Sequence, residues 1–208
     1  MKTIDQGRKD LIILVADIQQ QQTVATLLTE RYPSLGIRDI NFDIYTHSNR
    51  DPGVFHGAGS FLADLAGLYQ HALVVIDAEW SGSPASVEEI EAKIQNDLNR
   101  NGWAGRSAVI AIDPELEIWV WSQSPHVPRL FGTDWEIIKD LGHQTGYWQE
   151  GETKPSRPKD LLDKVLHRTR KPRSSALYRR LACKVSLRTC QDSSFCRFCE
   201  ILQGWFPA

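Results

Sequence analysis

A chain of 208 residues, 41% of them hydrophobic and seven of them tryptophan, holds enough apolar material for one domain with a sizeable core, which excludes intrinsic disorder. No apolar run approaches the ~18 residues of a transmembrane helix. The polar N-terminus leads only into a short run closed by Asp17, so no signal peptide is expected and the expected location is cytoplasmic. The formal net charge of −2 hides a division: residues 1–153 carry 11 Lys/Arg against 22 Asp/Glu, whereas residues 154–188 carry 12 against 2. An acidic body with a basic arm suggests an anionic partner, with nucleic acid the natural candidate because Lys and Arg release phosphate counterions. The alternative is that the arm folds back and neutralises the body.

The pattern along the chain alternates strand and helix. Residues 11–16 are an unbroken apolar run and predict the first strand; residues 19–32, with Val24, Leu27 and Leu28 at helical spacing, predict a helix ended by Pro33. Ile40, Phe42 and Ile44 alternate with polar residues inside a half-buried second strand read over residues 36–45. After a loop at Asp51-Pro52-Gly53, residues 54–69 read as a helix through Phe61, Leu62, Leu65 and Leu68. The run Ala72-Leu73-Val74-Val75-Ile76 predicts a third strand buried on both faces. Ser86 and Glu89 form a capping-box signature for a helix over residues 86–100, and residues 108–112 complete a fourth strand. Pro114 opens a predicted aromatic helix at residues 115–121; Pro125 and Pro128 break the next stretch into short pieces, and residues 142–158 read as a loop. Further helices are expected at residues 159–169, 174–184 and near 195–202. The result is an α/β fold with a mostly parallel sheet flanked by helices (residues 1–122) and a helical, basic C-terminal extension packed on it (residues 123–208).

Acids gather at the strand ends. Asp17 closes the first strand, Asp77 the third and Asp113 the fourth; Glu79 lies two beyond Asp77, and Glu117 four beyond Asp113. Ligands of open α/β sheets bind at the carboxyl ends of the strands, and i, i+2 residues of an extended segment share a face. Asp17, Asp77, Glu79, Asp113 and Glu117 are therefore candidate ligands of a hard divalent cation, Mg²⁺ or Mn²⁺, whose charge would relieve their repulsion. The bland alternative is solvated carboxylates after core strands.

Asp17, the Asp77-x-Glu79 pair and the α/β units after them resemble a Toprim-type domain, the fold of topoisomerases, primases and overcoming-lysogenization-defect nucleases. The block from Ile112 to Trp121 is similar to the Leu-Glu-x-Trp signature of Toprim-like proteins in bacterial defence islands. Phe42-Asp43-Ile44-Tyr45, Asp113 to Trp121 with Ser122-x-Ser124-Pro125-His126-Val127, Lys171-Pro172-Arg173-Ser174-Ser175-Ala176-Leu177-Tyr178 and the terminal Trp205-Phe206-Pro207 resemble, more narrowly, the fourth component of the bacterial methylation-associated defence system. The resemblance implies a cytoplasmic antiphage protein, other proteins of that system as partners, and Mg²⁺-dependent phosphodiester cleavage. Carried onto this chain, it makes Asp17 the general acid/base and Asp77 with Glu79 the metal pair; the reading of the strand ends adds Glu117 or Asp113 as further ligands. Two positions depart from the family pattern: Asp17 replaces the usual Glu, and Glu79 the usual second Asp.

In the basic arm, Arg168, Arg170, Lys171 and Arg173 precede Ser174 and Ser175 at a helix start, with Arg179 and Arg180 one turn on. Guanidinium groups, two hydroxyls and helix amides make a phosphate seat; ordinary N-capping beside solvated charges is the alternative. Cys196 and Cys199 have metal-ligand spacing, but Cys183 and Cys190 complete no zinc pattern, so reduced thiols are expected. His47 and His126 are placed to line the acidic pocket, or to serve structure. The residues support three readings: a metal-dependent nuclease with catalytic Asp17 and Glu117, a non-catalytic subunit that binds nucleic acid or a partner protein, and a receiver-like signalling domain, which lacks a Lys after a fifth strand.

Overall fold

A computed structural model describes residues 7–80, 83, 86–187 and 190–208. Within them an all-parallel sheet of four strands runs β1 (Lys9–Val15), β2 (Phe42–Thr46), β3 (Tyr69–Asp77) and β4 (Ser107–Ile112), in the spatial order β2-β1-β3-β4. The crossovers are α1 (Ile18–Glu30) with the short α2 (Tyr32–Leu35), α3 (Arg50–Leu62) and α4 (Val87–Leu98). The extension supplies α5 (His126–Phe131), α6 (Trp135–Thr145), α7 (Pro158–Arg168), α8 (Ser175–Lys184) and α9 (Ser193–Trp205). The α/β class, the parallel sheet flanked by helices and the helical extension are those expected.

Strand alternation splits the core in two. Ile12, Leu14, Val74, Ile76 and Val109 face α3 and α4. Leu11, Ile13, Leu73, Val75, Ile110 and Ile112 face the other way, into a cluster shared with α1 and the extension. The extension is thus the second layer over the sheet, and the apolar runs are unbroken because both faces are covered. Its own centre is aromatic: Trp121, buried completely, lies about edge-on to Trp148 and Trp135, and its Nε1 donates to the Pro158 carbonyl at 3.0 Å.

Several boundaries differ from the sequence pattern. Pro33 does not end α1; it sits in the first turn of α2, where a missing N–H costs nothing. The second strand is confined to Phe42–Thr46, and Asp51-Pro52-Gly53 lies in the first turn of α3 rather than in a loop. Pro114 precedes a 3₁₀ turn at Leu116–Trp119 instead of opening a longer helix. Helix α6 runs into the stretch read as a loop, capped by Asp134 accepting from Ile137 N at 2.8 Å and closed by Gly146 at φ 71°. Gly142 lies where a Cβ would come within 2.8 Å of Trp148 Cβ, so the helix and the aromatic centre approach closely only at glycine. The capping box of Ser86 and Glu89 forms as expected.

The C-terminus is clipped onto the sheet's amino end. Pro207 bridges Ile37, Arg38 N donates to the Phe206 carbonyl at 3.1 Å, and the Trp205 ring stacks on His71 of β3 at 4.4 Å. Burial, and then the charge of Arg106, lower the His71 pKa against the opposing Arg106 backbone and Asp10, and its Nδ1 is buried without a hydrogen-bond partner among the described residues. The imidazole therefore binds protons more weakly in the fold than in the unfolded chain. Its contribution to stability is complete above the unfolded value of 6.5 and is lost as pH falls from there through the lower folded value. In thermal melts between pH 8 and pH 5, His71→Phe, which keeps the stacking, should flatten the decline in Tm relative to the wild type.

Candidate functional site

The carboxyl ends of β1 and β3 do bring acids together. Asp77 shares the strand face of Leu73 and Val75, so the cover of α1 and the extension leaves it only 9% exposed. Its Oδ1 accepts from Gln20 Nε2 of α1 at 2.8 Å and from Leu116 N at 3.0 Å. Asp17 is the N-cap of α1, with Oδ1 accepting from the amides of Gln19 and Gln20 at 2.8 and 2.9 Å. Asp51, in the first turn of α3, accepts from the backbone N–H of Asp77 at 3.1 Å. Glu117, 2% exposed in the 3₁₀ turn, accepts through Oε1 from both the Arg173 guanidinium and the Tyr178 hydroxyl. Glu115 takes Lys159 twice, its Oε2 meeting the ammonium and its Oε1 the amide, each at 3.1 Å.

These acids press on one another. Burial, followed by the charges of Asp51, Glu117 and Asp17, pushes the Asp77 carboxyl well above the usual range. Burial also raises Asp51, with repulsion from Asp17 added and the accepted Asp77 N–H opposing. Burial works against the charges of Lys159 and Arg173, yet both pKa values are raised: Glu115 and Glu117 hold the ammonium, and Glu117 above all holds the guanidinium. Cations of the extension therefore supply the countercharge at this edge.

Three of the five expected ligands, Asp17, Asp77 and Glu117, join this group, together with Asp51, which the sequence pattern did not reveal. The other two do not. Glu79 is exposed beyond the strand end, where its amide and that of Ala78 donate to the Pro114 carbonyl at 2.9 and 3.1 Å; the chain is no longer free to repeat the alternation that would align it with Asp77. Asp113 is exposed, one residue out of register with the covered face of Ile110 and Ile112. Among the described residues no three His, Cys, Asp or Glu side chains are placed to hold a metal ion. The two acids expected to act on protons are engaged, Asp17 in a helix cap and Glu117 by Arg173 and Tyr178. The one signal for Asp51 was its place just before Pro52, which suits a helix start.

The basic arm divides in the same way. Arg173 also bonds Asp163 at 3.1 Å, and Arg179 bonds Glu30 at 3.0 Å. Ser174 caps α8 by accepting from Leu177 N at 3.3 Å; Ser175 is half-buried in its first turn, and Lys171 is half-buried with its Cε and Nζ beside Gly132. Arg168, Arg170 and Arg180 are exposed, and among the described residues no acid pairs with them. Ser174 therefore makes the ordinary cap; Arg168 ends α7, Arg170 lies between α7 and α8, and Arg180 lies in the second half of α8. His47 accepts at Nδ1 from Asn49 N at 3.1 Å and packs on Phe61; His126 is exposed in the first turn of α5. No helix among the described residues is long and apolar enough to cross a membrane.

The chain matches no protein-family model, no curated protein and no solved structure.

Asp77→Asn tests the electrostatics. The folded carboxyl titrates above its unfolded value of 3.8, so its proton-linked stability is full below 3.8 and is lost as pH rises through the folded value. The amide keeps Oδ1 as acceptor for Gln20 and Leu116 and cannot ionise. Asn should therefore raise Tm at pH 8 by at least about 2–4 °C, the equivalent of 1 kcal/mol in a chain of this size, with the gain shrinking towards pH 4. Arg173→Met, by contrast, strands Glu117 in the interior and should cost about 3–5 kcal/mol in urea unfolding, much of it regained in the double variant with Glu117→Gln.

Proposed function

We propose that this chain is a nucleic-acid-binding subunit, itself non-catalytic, of a bacterial antiphage defence complex of the methylation-associated type. The observation that carries this reading is the neutralisation of the acidic strand edge from within: Glu117 by Arg173 and Tyr178, Glu115 by Lys159. A site closed by its own cations has no need of an ion and offers no open position to a phosphodiester. What the surface does offer is positive charge, at Arg168, Arg170 and Arg180. Contacts of this kind position a nucleic-acid backbone without reading its sequence. The sequence blocks at residues 42–45, 113–127 and 171–178 support the assignment to a Toprim-like defence protein and so to partners within that system. The competing reading is Mg²⁺- or Mn²⁺-dependent phosphodiester cleavage; the repulsion among Asp17, Asp51 and Asp77 at the strand ends favours it.

One set of measurements separates the two. Fluorescence polarisation with single-stranded and duplex DNA and RNA in EDTA should give salt-sensitive binding. Substituting Arg168, Arg170 and Arg180 by Ala should reduce the slope of log K against log [salt] by about 0.7–0.9 for each phosphate no longer neutralised. Incubation of the same substrates with Mg²⁺ or Mn²⁺ should leave them intact. Cleavage that disappears in EDTA and in Asp77→Asn would instead establish the nuclease, and an unchanged salt slope would remove the arm from recognition.

A further inference from the structure

Three of the four cysteines, Cys190, Cys196 and Cys199, lie close together near the start of α9. Cys190 is half-buried at the end of that connection, against the core and the rim of an apolar cavity of about 40 Å³ that Trp119 and Phe195 also line. Cys196 is exposed on α9, its Sγ 3.8 Å from the Cys190 carbonyl oxygen, and Cys199 is half-buried three residues later. The corner between Cys190 and Cys196 is fixed: Asp192 caps α9 through the amides of Ser194 and Phe195, Cys196 N donates to the Asp192 carbonyl at 2.9 Å, and Lys154 holds the Asp192 carboxylate at 3.1 Å. Cys183 stands apart on α8, donating to Glu30 at 3.1 Å.

We propose that Cys196 and Cys190 form a peroxide-responsive dithiol site, with Cys196 the attacking sulfur and Cys190 the one that resolves it. Cys196 is the exposed member of the trio, so the oxidant reaches it first. Its thiolate attacks one oxygen of hydrogen peroxide; the O–O bond breaks, a sulfenic acid forms, and hydroxide leaves as water. The sulfur of Cys190 then attacks the sulfenic sulfur, the S–S bond forms, the S–O bond breaks, and the departing hydroxide takes the Cys190 proton as a second water. The two thiols lose two electrons and one peroxide is reduced to two waters.

Geometry selects Cys190 over Cys199 as the partner. Cys196 and Cys199 share α9, whose i, i+3 spacing holds Cβ atoms about 5–6 Å apart, beyond the ~3.5–4.5 Å of a disulfide. Cys190 lies outside any helix and is free of that spacing. Burial, with the other two thiols adding to it, also pushes the Cys199 thiol up to about 12, which keeps it protonated. Burial raises Cys190 as well, so the resolving step should speed up with rising pH. The bond would fasten Cys190, and with it the cavity rim it lines, to the start of α9.

The full chain, treated with equimolar hydrogen peroxide, alkylated and digested with trypsin, gives the test. Cleavage after Arg188 and Arg197 leaves Cys190 and Cys196 in one peptide, residues 189–197, and Cys199 in residues 198–208. The expected product is peptide 189–197 lighter by two hydrogens and closed to alkylation. Cys190→Ser should instead accumulate a sulfenic acid on Cys196 that dimedone traps, and Cys196→Ser should lower the rate of peroxide consumption at least about tenfold. A cross-link between peptides 189–197 and 198–208, a fully alkylated peptide 189–197, or an unchanged rate in Cys196→Ser would each overturn the proposal.

Discussion

The structure turns on how a parallel sheet covered on both faces tolerates acids at its carboxyl edge. Asp77 follows Leu73 and Val75 on a face that α1 and the extension bury, so its carboxyl is removed from water by the alternation that builds the core. An ionised carboxylate there would cost several kcal/mol without compensation. The protein responds in two ways. Asp77 shifts towards its protonated form and is hydrogen-bonded by Gln20 and Leu116, whereas Glu117 is matched with Arg173 and Tyr178. The second response needs residues some sixty positions downstream, which makes the extension part of the fold's electrostatics as well as its core.

This accounts for the uneven charge of the chain. The basic arm returns to the acidic body: Lys159 pairs with Glu115, Arg173 with Glu117, and Arg179 with Glu30, while Lys154 pairs with Asp192 inside the extension. Their environments are unequal. Arg179 is largely exposed, so its pair adds little, but Glu117 is almost wholly enclosed, and losing its partner is costly. Among the described residues the arm keeps Lys164, Arg168, Arg170, Arg180 and Lys184 exposed without an ion pair, fewer cations than its 12 Lys/Arg against 2 Asp/Glu imply.

The sheet was legible because its information is local. Unbroken apolar runs mark strands with two covered faces, and Ser86 with Glu89 marks a helix start, whatever lies around them. The acids at the strand ends were legible only in part. Asp17 and Asp77 end their strands in phase with the covered face; Asp113 is one residue out of phase, and Glu79 lies beyond the point where the chain bonds to Pro114 and leaves the alternation. Asp51 was hidden by a turn-like Asp-Pro-Gly that serves as the first turn of α3. In the extension, Pro125 and Pro128 mark breaks in the pattern, whereas the cap at Asp134 and the stop at Gly146 define α6. None of the ion pairs that settle the fate of the acids is visible in one dimension, since each joins segments brought together only by the folded core.

A guanidinium and a divalent ion are alternative answers to crowded carboxylates, and they differ in what they permit. A catalytic ion keeps part of its coordination open to substrate and leaves when its ligands are protonated or a chelator competes. Arg173 is tied to the chain, points a planar fork of donors, and has those donors divided between Glu117 and Asp163. Tyr178, itself pushed up by burial and by Glu117, remains a protonated donor and closes the same carboxylate oxygen from α8. Glu117 neutralised this way is held independently of ion concentration. The pairing also joins the sheet's carboxyl edge to α8 and to the segment before it, from opposite ends of the chain's charge division.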